Sequence, residues 1–296
     1  MSTRIDPLAA PEALARAGVL DRVFYATGVL LAADDFDAEQ TYHRGRLARA
    51  LSYLHGSGTV AGLRVVVAPG LAAGADPAFP QGREEELRVE PGFAIDRLGR
   101  LVEVPRAACL RLDRWYQADE VDRLRTALHA GGVIVDVFVR YLTCDRGKTP
   151  AFAAGPFDAL DAVQPARLRD AYELTLVPRA EASPPLPATG EIGAPPLPPA
   201  ADVDGRRAAL QEAIFTGWRE GTEQWTDQGP VPLREHVAGQ DPTSLFLARL
   251  VLPATAAPTA AERPARTPGA AVLVDNASRR FAYSTLALTR SLGIIA

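Results

Sequence analysis

From Asp34 to Leu54 the positions Phe36, Gln40, His43, Leu47, Leu51 and Leu54 recur at three- and four-residue steps, while Arg44, Arg46 and Arg49 fall largely on other faces. The spacing predicts a long helix with one side turned toward a core. Asp34 or Asp35 can accept hydrogen bonds from the free N–H groups of the first turn, and Asp37 and Glu39 set negative charge at the positive end of the helix dipole. Gly56 and Gly58 suit the left-handed conformation that ends a helix, and β-branched Thr59 and Val60 open an extended run directly afterwards. The helix therefore hands the chain straight to a sheet.

Beyond Val67 the pattern shortens. Residues 69 to 86 collect Pro and Gly and end in the acidic triplet Glu84-Glu85-Glu86, read as a loop with a solvated tip. Strands follow near 87–90, 93–96, 101–104 and 108–112, separated by Pro91-Gly92 and Leu98-Gly99, the spacing of a β-meander or small sandwich. A second helix is expected over about 118–129. Val133 to Leu142 is apolar at almost every position except Asp136 and Arg140, as in a central strand covered on both faces. Asp136 and Arg140 share one face of it and read as polar positions paired with neighbours or facing an interface. Residues 143–168 read as loop-rich, and Tyr172 to Val177 as a strand.

Residues 180–202 are dominated by Pro, Ala and Gly, which favours an extended, weakly packed connector. Asp204 can cap a helix over about 205–219, and Ser244–Leu252 and Ala271–Asp275 read as further strands. A short N-terminal helix over Pro11–Gly18 and apolar segments after Leu286 complete the chain. The expected fold is α+β: a mainly β meander or sandwich-like core, a long N-terminal helix packed on it, and a helical, Pro-rich insertion. The boundaries are 1–58 for the N-terminal arm and central helix, 59–179 for the β-rich core, 180–243 for the insertion, and 244–296 for C-terminal strands that return to the core.

Composition narrows the function. A net charge of −4 leaves no basic excess to neutralise a phosphate backbone, so nucleic acid is not an expected partner. No basic segment leads into an apolar run at the N-terminus, and no window approaches the roughly 18 apolar residues of a membrane span. A cytoplasmic product is expected. Cys109 and Cys144 lack CxxC spacing and read as buried or half-buried free thiols.

Candidate chemistry is sparse. His43 and His55 project from different sides of one helix and cannot share an ion unaided; His43 lies on the apolar stripe and reads as a hydrogen-bonded core histidine, and His129 and His236 lack neighbours of ligand type. Gly56-Ser57-Gly58 is not a nucleophile elbow, and neither phosphate-loop pattern occurs. Glu90 and Asp96 belong to one short turn and frame no substrate. No catalytic, cofactor-binding or metal-binding residue is therefore assigned, no cofactor is expected, and the chain reads as a non-enzyme. The alternative is a carbohydrate- or ligand-binding β-module, with loops 69–86 and 96–100 forming a cleft and Trp115 or Trp225 as sugar platforms.

Three segments carry a resemblance. Gly28-Val29-Leu30-Leu31 with Asp34-Asp35-Phe36 and Tyr42-His43-Arg44, followed by Leu54-His55-Gly56-Ser57-Gly58-Thr59-Val60-Ala61-Gly62-Leu63, resembles a recurring segment of proteins encoded with phage-tail-like contractile injection systems. Val89-Glu90-Pro91-Gly92-Phe93-Ala94-Ile95-Asp96 with Gly99-Arg100 and Val102-Glu103-Val104 resembles the turn-and-strand module that accompanies it in baseplate and fibre components. Val274-Asp275-Asn276 with Arg279 is similar to closing segments in such proteins. The resemblance covers about residues 22–112. It implies a structural assembly subunit, homo-oligomeric, docked to baseplate, tube or fibre components of a tail-like particle and without membrane insertion.

Overall fold

The computed structural model describes residues 13–15, 21–150, 163–188, 203–219, 223–267, 269–283 and 285. A single 3-10 turn, Ala13–Ala15, stands where the first short helix is expected, and the rest of that segment lies outside the described residues. Helix α1 runs from Ala33 to His55. Its start is held by Asp35, whose Oδ2 accepts the Ala32 N–H at 2.8 Å, and its end by Gly56 at φ 67°, whose N–H donates to Ser52 O.

Next comes a meander of three long antiparallel runs, each broken near its middle. β1 (Gly58–Gly62) and β2 (Val65–Ala68) form the first, β3 (Glu86–Val89) and β4 (Gly92–Ile95) the second, β5 (Leu101–Val104) and β6 (Ala108–Arg111) the third. The break divides them into two three-stranded sheets, β1-β4-β5 and β2-β3-β6. Gly62 and Gly92 face each other at the crease, where a Cβ on Gly62 would meet Pro91 O at 2.0 Å and one on Gly92 would meet Ala61 O at 2.2 Å. Only glycine lets the two backbones approach so closely. Leu63, fully buried at φ 55°, turns the chain from one sheet into the other.

Two short helices, α2 (Leu112–Ala118) and α3 (Val121–Thr126), replace the single helix expected over 118–129. Asp119 separates them: its extended backbone ends α2, while its Oδ1 accepts the Glu120 N–H and pairs with Arg123 in α3. β7 (Leu128–His129) then leads into β8 (Gly132–Pro150), the central strand. β9 (Val163–Pro178) pairs with β8 along one side, from Val135↔Pro178 out to Pro150↔Val163. Helix α4 (Val203–Thr216) and the small hairpin β10 (Trp225–Thr226) and β11 (Gly229–Pro230) follow. β12 (Leu245–Leu252) pairs with the other side of β8, the two-residue strands β13 (Ala254–Thr255) and β14 (Ala265–Arg266) pair with each other, and β15 (Leu273–Asp275) closes the sheet beyond β12.

The fold is α+β, with an N-terminal helix and a mainly antiparallel β core. Val133, Val135, Val137 and Val139 of β8 point into the main core with Leu245, Leu250 and Leu252 of β12 and the buried side chains of the meander. The opposite face of β8 presents Asp136 and Phe138, covered by residues 181–188 and 231–243; Phe138 packs with Val177, Phe246, Leu186 and Val237. Val133–Val139 is thus doubly covered as its sequence predicts, whereas Arg140 and Tyr141 are half-buried and Leu142 is exposed.

Three expectations need correction. Residues 143–168 are not a loop: their described parts extend β8 and β9 into a two-stranded ribbon beyond the reach of β12. The ribbon contains Gly147, Pro150 and Pro165, which an antiparallel pair with no further strand hydrogen-bonded to it among the described residues tolerates, since none of them has to serve a second neighbour. Residues 181–188 are not weakly packed, since Pro184 and Pro187 are buried and Arg249 donates to the Pro184 and Pro185 carbonyls at 2.8 and 3.3 Å. The remainder of the Pro-rich stretch, 189–202, and the segments after Leu286 lie outside the described residues.

The third concerns α1. Its buried residues are Gly45 and Ala48, and Phe36, Leu47, Tyr53 and Leu54 are exposed. The helix rests on the body through its small residues, because the 96–100 turn comes up against its backbone: a Cβ on Gly99 would lie 1.8 Å from Ala48 O. Leu14 and Leu98 fill the remaining gap beside Ala48.

Candidate functional site

The three segments that carry the resemblance converge on the crease of the meander. β2 is an edge strand of its sheet, and the N–H and C=O of Val65 are not used by its partner β3. Asn276, which follows β15, supplies their partners: its Oδ1 accepts the Val65 N–H at 2.9 Å and its Nδ2 donates to Val65 O at 2.8 Å. Arg279 donates to Leu63 O at 2.7 Å and to Asn276 Oδ1 at 2.5 Å, fixing the amide's orientation. Burial, with Arg64 nearby, pulls the Arg279 guanidinium down to about 10. Thr59 exchanges backbone bonds with Arg280 and Ala282, so the closing segment meets β1 in a single parallel bridge, Thr59↔Phe281. These groups complete backbone hydrogen bonding at Leu63 and Val65 and leave no reactive atom free.

The 96–100 turn is built the same way. Asp96 is fully buried; Oδ1 accepts the Leu98 and Arg100 N–H groups at 2.9 Å, and Oδ2 pairs with Arg100 Nε at 2.7 Å. Burial pushes its carboxyl up, against the pull of Arg100 and those N–H groups. Arg97 donates to the carbonyls of Val231, Pro242 and Gln224 and so ties the turn to the insertion. Glu90 is exposed at the crease, six residues from Asp96 on the far side of β4.

Asp136 anchors a second polar cluster. Arg249 binds it through Nε and Nη2 at 2.7 and 2.9 Å, and Arg179, itself 1% exposed, donates at 2.8 Å. Burial raises the Asp136 carboxyl while both guanidinium groups draw it down. Arg179 also donates to Glu235 O at 2.6 Å, and Arg280 pairs with Glu235 Oε1 at 3.1 Å. Arg140, on the same face of β8, pairs with Glu173 and Asp241. Asp136 and Arg140 are thus each paired with neighbours, and the cluster fastens 181–188 and 231–243 onto the sheet.

Other positions move from their expected places. His43 is exposed and bonds Glu39 at 2.9 Å, because the helix turns its apolar stripe outward. His236 is the buried histidine: its Nδ1 accepts the Leu233 N–H, which places the proton on Nε2 facing Ser244 O, both at 2.9 Å. Burial holds it below the ordinary histidine range. Cys109 is exposed rather than buried, on the outward positions of β6, and Cys144 is half-buried; both are free thiols. The acidic triplet is not a bare tip: Glu84 binds Arg114 in a two-pronged contact at 2.9 and 3.0 Å, which lowers its carboxyl, and Glu85 pairs with Arg266 at 2.5 Å.

Loops 69–86 and 96–100 lie at opposite ends of the β3–β4 run and do not form one cleft. Trp115 packs against the main core, and Trp225 against the Leu14–Ala48–Leu98 cluster with the Arg219 guanidinium 4.5 Å over its ring. Among the described residues no three His, Cys, Asp or Glu side chains gather as a metal ion requires, and no helix is long and apolar enough to cross a membrane.

The unsatisfied chemistry lies on surfaces. The approach to α1 exposes Phe24 (81%), Tyr25 and Leu30 (94%), and the helix continues with Phe36, Leu47 and Leu54 (75%). α4 and the residues after it add Ile214, Phe215 and Trp218, the last stacked on Tyr53 at 5.7 Å. These large apolar side chains are exposed on the described surface, the feature that most often accompanies an interaction site. The apolar stripe itself was legible; the tight contact of Gly99 with Ala48, which decides which side is buried, was not. No protein-family model matches the chain, and no curated protein matches it.

Proposed function

We propose that this protein is a non-enzymatic structural subunit of a phage-tail-like contractile injection particle, acting by docking to baseplate, tube or fibre components. The observation that carries the proposal is the outward apolar face of α1. A helix of 23 residues held to its own body by Gly45 and Ala48 leaves Phe36, Leu47 and Leu54 for another surface. The buried polar groups support the same reading. Asp96, Asp136, Asn276 and Arg279 complete turns, creases and an insertion, and none is presented to a substrate. Rigid body and projecting apolar helix are the parts an assembly subunit needs.

The test is co-expression with the sheath, tube and baseplate proteins encoded beside it. The chain is expected to sediment with assembled particles, and Leu47→Asp/Leu54→Asp to leave it in the supernatant while still folded. A neighbourhood without tail components, or a wild-type chain that never enters a particle, overturns the proposal.

A further inference from the structure

The distal part of the β8–β9 ribbon carries exposed Arg146, Lys148, Arg167 and Arg169. In an antiparallel pair, residues directly opposite share a face, and so do residues two apart along each strand. The pairs Cys144↔Arg169, Arg146↔Arg167 and Lys148↔Pro165 therefore stand in successive rows about 7 Å apart on one face of the ribbon. Arg146, Lys148, Arg167 and Arg169 gather there. All four are exposed, and none has an ion-pair partner among the described residues. Arg146 lies directly opposite Arg167, an arrangement that is repulsive within an isolated chain. A face of four like charges on an arm that leaves the sheet is completed by something anionic.

The start of α1 supplies the complement. Asp34 and Asp37 are exposed, have no ion-pair partner among the described residues, and lie at the positive end of the helix beside exposed Leu30 and Phe36. The basic face of the ribbon likewise carries apolar Leu142 and Val163 among its cations. Within one chain, α1 is on the wrong side to meet that face. At the ribbon's base Arg100 stacks on Tyr141 at 4.5 Å and Arg44 of α1 acts on the same ring, and Tyr141 belongs to the other face, with Asp145 and Leu168. The basic side is continuous instead with Arg140 and Asp241.

We propose that the occupant is a second copy of this chain, with the Arg146–Arg167 face of one copy's ribbon seated on the Asp34–Asp37 start of α1 in the other. This deepens the assembly reading above by naming the contact through which copies associate. Charge sets the register and the apolar side chains around it close the interface.

Sedimentation equilibrium of the full chain tests it, with Arg146→Glu/Arg167→Glu on the ribbon, Asp34→Lys/Asp37→Lys on the helix, and an equal mixture of the two variants. At tens of micromolar and low salt the wild type is expected to be oligomeric and each variant monomeric. The mixture is expected to restore association, because the reversed ribbon of one variant then faces the reversed helix start of the other, and the native ribbon faces the native helix start. Raising salt to about 0.5 M weakens the wild-type oligomer as screening shortens. The altered residues are exposed, and far-UV circular dichroism shows whether each variant is folded. A monomeric wild type, a variant that stays oligomeric, or a mixture that fails to associate overturns the proposal; so does a monomer whose ribbon instead retains DNA or anionic vesicles. Particle association with a monomeric free chain would sink this contact alone and leave the assembly reading standing.

Discussion

Asp136 is buried and Leu54 exposed, and each holds a residue type more usual at the other's position. The carboxylate of Asp136 is fully buried between two arginines, and Leu54 at the end of α1 is 75% exposed. The contrast extends to their regions. The second face of β8 is held by Asp136, Arg179, Arg249 and Glu235, which grip irregular segments by carbonyl and carboxylate contacts, whereas α1 offers water a run of large apolar groups. Irregular chain lying on a sheet has backbone carbonyls with no ladder to join, and guanidinium forks satisfy several at once. A helix placed to meet another molecule keeps its apolar groups outside. On the assembly reading proposed above, polarity inside and apolarity outside are two parts of one arrangement, a body held together by buried ion pairs with large apolar groups left on α1.

The largest expected effect comes from breaking the inner half of that contrast. Asp136→Ala leaves Arg179 as a buried charge without its main counter-ion, which costs about 3–5 kcal/mol in comparable sites. Urea unfolding is expected to show a lower midpoint with an unchanged slope. A change below about 1 kcal/mol would mean that the insertion does not cover this face in solution. Asn276→Ala follows, at about 2–3 kcal/mol, because it strips both partners from the Val65 backbone at the crease. Asn276→Asp keeps the acceptor for the Val65 N–H and the partner for Arg279, so a smaller loss is expected by the same measurement.

A smaller effect, read as pH dependence, sharpens the contrast. His236 is held neutral, with its folded-state value below the ordinary 6.5 because burial disfavours the cation. Between those two values the unfolded chain binds the extra proton, so stability rises with pH there and falls as pH drops below about 6.5. From pH 7 to 5.5 the wild type is expected to lose more stability than His236→Asn, because only the wild type takes up this proton on unfolding. Equal losses in the two proteins would mean that His236 titrates freely.

Much of the body was legible because its signals are local. Pro91-Gly92 and Leu98-Gly99 punctuate the meander, and unbroken apolarity marks β8, whereas the break after Gly62 is not marked in the extended run that opens at Thr59. The missing parts depend on contacts far apart in sequence. Nothing near Asn276 in the chain says that its amide will complete Val65, 211 positions away. The stripe on α1 gives a helical period and not what covers it; that was decided by a glycine in another turn meeting Ala48. The ribbon contains Pro150, Pro165 and Gly147, residues that disfavour a central strand and are harmless where each strand has one neighbour. The acidic triplet read as solvated because its arginines, Arg114 and Arg266, belong to other elements.

The smallest expected effect tests the outer half of the comparison. Leu47 and Leu54 are 58% and 75% exposed, so Leu47→Ser/Leu54→Ser removes little area that folding took from water. The variant is expected to unfold within about 0.5 kcal/mol of the wild type, as surface substitutions do. Gly45 and Ala48, which do seat the helix, are untouched by the change. The measurement must be made on a monomer, under dilute conditions, because an oligomer that buries these leucines would add their burial to apparent stability by mass action. A loss above about 2 kcal/mol in that monomer would place both leucines against the chain's own body. A loss that grows with protein concentration locates them in the contact between copies, and a concentration-independent value near zero leaves them free for a different component.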